Sequence, residues 1–316
     1  MYNITLSREA QLASLILYAA DMNIQYYNNP TPPPDPRIEE DGWKLVGYIS
    51  GNDLSFSVDP KTNKQFLIML PVSVCYGYIA ENKKTPKEYV IVIRGTDISN
   101  LFEALHDLVP VFTSPWADTP EQKVSMGFYS IYNSLKLNIV DPEYKGDLQY
   151  LRFCNAIAQF IGINTPYTIL GHSLGATIAA YLMRDIPLLG DKHKACLFAS
   201  PKPGNHEFVT YIDNHFSNYE VFNYEKDLVP HLPLRIPLIL EYESLSKVTL
   251  LKPPDGLNIA DSLGCNHYLV SYIAILDPNQ FKRLILASKT PDSEKHKIVS
   301  SCISLTQSSN ETTIGN

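Results

Sequence analysis

The sequence predicts an α/β fold, a mostly parallel central sheet with helices on both faces. Three observations lead there. YVIVIRGT, from Tyr89, is a continuous β-branched apolar run of the kind that suits a central strand covered on both sides. TPYTIL, ATIAAYLMRDI and KACLFASP then read as strand, helix and strand, the alternation that builds parallel sheets. Finally, 316 residues of 45% hydrophobic composition can bury one large core.

Taken in order, LASLILYAA (Leu12 to Ala20) predicts an amphipathic N-terminal helix capped by Ser7. It is too short to span a membrane and no positively charged leader precedes it, so the reading is no transmembrane segment and no signal peptide. That implies a cytoplasmic chain or one exported without a Sec leader; the sequons at Asn3 and Asn310 are weak hints of secretion. PTPPPDPR, residues 30–37, is a surface connector because its prolines fix extended geometry. LVGYIS, FSV, FLIML and VCYGYIA have strand character. MGFYSIYNSL (Met126 to Leu135) spaces Phe128, Ile131, Tyr132 and Leu135 as one helical stripe, and Leu148 to Ile163 repeats that signature. YEVFNYEKD is a strand ending in a polar turn, and Asn266 to Leu276 predicts a late helix. These elements form one domain, residues 1–287; the polar segment 288–316 reads as a disordered or loosely packed tail.

A net charge of −7 with no Lys/Arg block argues against nucleic acid as a partner. The five cysteines lie far apart without a C-x-x-C pair, so neither a zinc site nor a disulfide framework is expected. Nothing in the sequence sets the oligomeric state.

GHSLG, Gly171 to Gly175, carries the chemistry. By itself the pattern arises by chance about once in ten chains of this size. Its context is specific: a buried strand precedes it, a helix follows, and Gly171 and Gly175 let a strained turn approach its neighbours. A serine hydroxyl is a poor nucleophile at neutral pH, so Ser173 needs a histidine to take its proton and a carboxylate to hold that histidine's tautomer. Where these follow in the order Ser, Asp, His, Asp227 is the acid best presented at a strand end. His193, His206 and His215 precede it, His296 lies in the tail and His231 is too close in sequence to reach back, which leaves His267.

VIVIRGT, MGF with its following Tyr, GHSLGA, FASPKPGN, VFNYEKDLVPHLP and NHYL occur in the order seen in class 3 lipases, the fungal-lipase-like branch of the α/β-hydrolase fold. The resemblance covers roughly Leu12 to Leu276. It implies Ser173 as nucleophile, Asp227 as orienting acid, His267 as base, and an oxyanion hole at Thr96 and Leu174. It also implies a candidate lid over residues 97–123, with Leu101, Phe102, Leu105 and Leu108 on one side; a permanently packed surface helix is the alternative. The implied activity is hydrolysis of acyl-lipid esters, at a membrane or droplet surface, without metal or organic cofactor. A phospholipase, a soluble short-chain esterase and a non-catalytic binding protein on the same scaffold are the alternatives. Ser125, Ala176 and the Leu101/Phe102 pair depart from the family pattern, which bears on substrate preference rather than on the catalytic groups.

Overall fold

The computed structural model describes residues 6–58, 65–96, 112–141, 144, 146–186, 192–233, 241–287 and 301–305. The apolar run predicted as a central strand is one: β3 (Tyr89–Ile93) has four buried residues in five. On one side it pairs in parallel with β7 (Tyr167–His172), and β8 (Lys194–Phe198), β9 (Tyr219–Tyr224) and β10 (Val248–Leu251) continue the parallel block. On the other side β3 meets a long antiparallel hairpin, β1 (Trp43–Val58) with β2 (Gln65–Asn82), and β6 (Lys136–Ile139) closes that edge. Strand order across the eight-stranded sheet is β10-β9-β8-β7-β3-β2-β1-β6. The chain runs from β7 through α5 (Leu174–Asp185) to β8, and through α6 (His206–His215) to β9, as short parallel crossovers do. All parallel strands therefore end on the same edge, where the loops that follow them can meet.

Two apolar layers cover the sheet. One gathers Ile91, Ile93 and Ile169 with residues of α3 (Met126–Ser134), α4 (Phe153–Ile161), α5 and α6. The other gathers Val90, Val92 and Leu170 with α1 (Ser7–Gln25), α8 (Leu269–Leu276) and α9 (Pro278–Ala287). Alternate residues of β3 and β7 thus enter opposite layers, the period-two geometry of a strand. α2 (Pro36–Glu40) starts inside the proline-rich segment, where Asp35 caps it and Pro36 opens its first turn.

Several local expectations change. Ser7 does not cap α1: the cap position is Leu6, and the Ser7 hydroxyl instead donates to Asp277 at 2.7 Å. The helix expected over Leu148 to Ile163 is only α4, because the chain is still extended at Arg152 and Gly162 ends it with a φ of 90°. The late helix expected from Asn266 is broken at Tyr268, whose ψ of 133° separates α7 (Leu263–His267) from α8. Segment 288–316 is not wholly a loose tail. Within it β12 (Ile303–Leu305) pairs antiparallel with β11 (Leu257–Ile259), and Cys302 is buried. Cys302 forms a disulfide with Cys265, 37 residues earlier, against the expectation of no disulfide. The partners are joined by tertiary pairing, which cysteine spacing does not reveal. Cys75, Cys154 and Cys196 are buried free thiols. Among the described residues no helix is long and apolar enough to cross a membrane.

Of the segment considered as a lid, residues 97–111 lie outside the described residues, and with them Leu101, Phe102, Leu105 and Leu108. The remainder is fixed to α5. β4 (Phe112–Thr113) pairs with β5 (Val124–Ser125), the buried Trp116 indole donates to Asp185 at 2.6 Å, and the Arg184 guanidinium lies 4.8 Å from the Trp116 ring. His296 and the two sequons, at Asn3 and Asn310, also lie outside the described residues.

Candidate active site

Ser173 occupies the turn between β7 and α5 with φ 58° and ψ −128°, a backbone conformation that a side chain rarely adopts. Its own N–H bonds the Phe198 carbonyl at 2.9 Å, which ties the turn to the neighbouring strand. The flanking glycines explain how the chain gets there. A Cβ on Gly171 would sit 2.5 Å from the Gly175 carbonyl oxygen, and one on Gly175 would run into the Ile93 and Arg94 carbonyls. Strand, turn and helix are packed backbone to backbone, so only glycine fits.

Three side chains that are distant in sequence meet here. His267 Nε2 lies 2.9 Å from Ser173 Oγ, and its Nδ1 lies 2.8 Å from Asp227 Oδ2. All three are essentially buried, at 0%, 0% and 1% exposure for Ser173, His267 and Asp227. Asp227 follows β9, and its Oδ1 accepts from the Val229 N–H at 2.9 Å, so that one oxygen is fixed by the main chain and the other faces the imidazole. Because a carboxylate only accepts, the Asp227 contact puts the proton on Nδ1 and leaves Nε2 able to accept from Ser173. His267 closes the short helix α7, whose first turn is capped by the Ser262 hydroxyl accepting from Cys265 N–H. Exposed His231 lies in a separate turn, and His193, His206 and His215 bond the Ile163 carbonyl, Glu243 and the Tyr211 carbonyl.

The turn after β3 lies against the serine: a Cβ on Gly95 would come within 3.1 Å of Ser173 Cβ. Thr96, half-buried, follows it, while buried Leu174 opens α5 on the other side. The N–H groups of a first helical turn have no partner inside the helix and carry partial positive charge, so the start of α5 is suited to a developing anion. Arg94 holds the Gly95 turn in place. Arg94 is buried, and its guanidinium donates to the Cys75 carbonyl at 2.7 Å and the Gly95 carbonyl at 2.8 Å, and stacks on Tyr76.

Sequence reasoning did not single out Tyr272. Its hydroxyl donates to Asp227 Oδ2 at 2.7 Å and accepts from Tyr224 N–H at 3.0 Å. Burial, followed by the nearby Asp227 charge, pushes its pKa well above the ordinary phenol value, so it stays a donor. The one available signal was a tyrosine on the buried face of the apolar run LVSYIAIL.

A model described as lipase (class 3) matches residues 90–236, which contain the β3 turn, the Ser173 elbow and Asp227. Over that stretch, just under half of its length, the chain is similar to class 3 lipases. His267 lies beyond the matched stretch and joins the site through folding. Among curated relatives, a secreted mono- and diacylglycerol lipase of Malassezia globosa is 27% identical over 177 residues, covering 52% of this chain and 51% of that protein. The chloroplastic phospholipase A1-Igamma3 of Arabidopsis thaliana is 24% identical over 245 residues, covering 64% of this chain and 46% of that one. The chain thus spans about half the length of the curated relatives it matches. The native Rhizomucor miehei lipase propeptide complex superposes with a TM-score of 0.51 at 16% identity, over 79% of this chain and 70% of the other. That likeness is one of fold: the chain shares the α/β-hydrolase architecture.

Proposed function

We propose that this chain hydrolyses carboxylic esters of acyl lipids through an acyl-serine intermediate. The observation that supports it most is the unbroken hydrogen-bonded path Ser173 Oγ, His267 Nε2, His267 Nδ1, Asp227 Oδ2. Ser173 attacks the ester carbonyl while His267 accepts its proton, and the resulting imidazolium is stabilised by Asp227. The tetrahedral oxygen is held by the main-chain N–H groups of Thr96 and Leu174, whose turns are already fixed by Arg94 and by the glycine contacts, so little reorganisation accompanies the reaction. His267 then returns the proton to the leaving alcohol, and a water repeats the sequence to release the acid.

The curated relatives, by their names, act on mono- and diacylglycerols and on phospholipids. We assign neutral acylglycerols first, the class named for the relative of higher identity. The Cys265–Cys302 bond supports a working compartment that is oxidising, in place of the cytoplasmic reading. The test is hydrolysis of monoacyl-, diacyl- and phosphoglycerides across chain lengths, as monomers and as emulsions. Acylglycerol turnover that disappears in Ser173→Ala is the expected result. Preferential phosphoglyceride turnover would move the substrate class, and no turnover of any ester would favour a binding role.

A further inference from the structure

We infer that His172 is a positioning residue, which ties the main chain of His267 to the Gly95 turn and so registers the base against both nucleophile and oxyanion site. The inference rests on reading Ser173, His267 and Asp227 as an acyl-transfer triad.

His172 is the last residue of β7, one step before Ser173, and is buried at 8% exposure. Its Nε2 lies 3.0 Å from the His267 carbonyl oxygen. A carbonyl can only accept, so Nε2 carries the hydrogen and donates. That carbonyl sits where the chain leaves α7 and turns at Tyr268 before re-entering helix in α8. The bond therefore acts at the hinge carrying the base. The two imidazoles also pack against each other, with centroids 4.8 Å apart and a 33° tilt, and the Tyr272 ring meets His172 edge-on at 6.0 Å.

On its other side His172 abuts the β3 turn. A Cβ on Gly95 would lie 2.9 Å from the His172 carbonyl oxygen and 3.3 Å from His172 Nδ1. One residue thus touches the turn leading to Thr96, adjoins Ser173 covalently, and bonds the backbone of His267. Burial first, and then the neighbouring His267, holds the His172 pKa well below the ordinary value, so the ring stays a neutral donor while His267 takes the catalytic proton. An apolar side chain of the same size would fill the space equally well but would leave the His267 carbonyl without this donor. Shape alone therefore does not account for the residue.

The experiment compares His172→Gln, His172→Asn and His172→Phe in the full chain, reading kcat and KM for ester hydrolysis, the rate of fluorophosphonate labelling, and thermal unfolding. The Gln amide nitrogen reaches the position of Nε2, whereas the shorter Asn amide does not. In Asn and Phe, kcat and labelling rate fall about 10- to 100-fold at nearly constant KM, the loss expected from a misplaced reacting group. In Gln both return to within about threefold of wild type, on that same geometric argument. Equal activity in Gln and Asn, or wild-type kcat in Phe, overturns the inference. If Phe does not fold, the Gln against Asn comparison decides alone. Full activity in His267→Ala would instead overturn the triad reading beneath it.

Discussion

The proposed nucleophile, Ser173, and the proposed base, His267, are held in different ways. Around Ser173 the backbone geometry is set mainly by local sequence: six consecutive residues, Gly171 to Ala176, make the strand end, the strained turn and the helix start, packed against the β3 turn and bonded to the Phe198 carbonyl. His267 is held at long range. Its carbonyl is bonded by His172, its imidazole by Asp227, Asp227 in turn by Tyr272, and its helix is joined by a disulfide to Cys302, the residue just before β12. A nucleophile can be strained into place by its immediate neighbours, whereas a base borne on a short helix needs ties from elsewhere. The two ends should therefore respond differently to damage far from the reacting atoms.

The largest such effect is expected from Cys302→Ser. A cross-link closing a loop of 37 residues restricts the unfolded chain by about 3–4 kcal/mol in the chain-entropy picture. Urea unfolding should report a loss approaching that size, and kcat should fall while the elbow's contribution to the core is untouched. Unchanged stability and unchanged kcat would mean that the disulfide and the β11–β12 pair do not hold the base.

Tyr272→Phe tests the second tie. It removes a donor from Asp227 and leaves the buried Tyr224 N–H without its acceptor, a cost of about 1–3 kcal/mol. We expect kcat to drop about 10-fold, as when an orienting contact of a catalytic group is lost, with KM constant. A change in KM alone would place Tyr272 in substrate binding and erase the contrast between the two ends.

The same contrast explains what could be read from the sequence. Ser173, its glycines, the β3 strand and the alternating strands and helices are contiguous signals, and each is visible in a window of a dozen residues. Asp227 and His267 were reachable because chain order and strand ends narrow the choices, yet the break at Tyr268 was not, since NHYLVSYIAIL (Asn266 to Leu276) reads as one continuous helix across it. The Cys265–Cys302 bond and the pairing of Leu257–Ile259 with Ile303–Leu305 depend on where a polar, weakly periodic stretch returns to the body of the protein. Composition describes that stretch as a tail; only tertiary contact gives it a place. Tyr272 and His172 were missed for a related reason, because a buried tyrosine or histidine has no sequence mark that separates a positioning bond from ordinary packing.

The central claim is that the Ser173 proton leaves through His267. It is tested most directly by the second-order rate of fluorophosphonate labelling, with the adduct located by peptide mass spectrometry, in wild type, Ser173→Ala and His267→Ala. The account predicts an adduct on Ser173 in wild type, none in Ser173→Ala, and a rate reduced by a factor on the order of 10⁴ in His267→Ala. Labelling of His267→Ala at the wild-type rate, or of Ser173→Ala at any comparable rate, would contradict it.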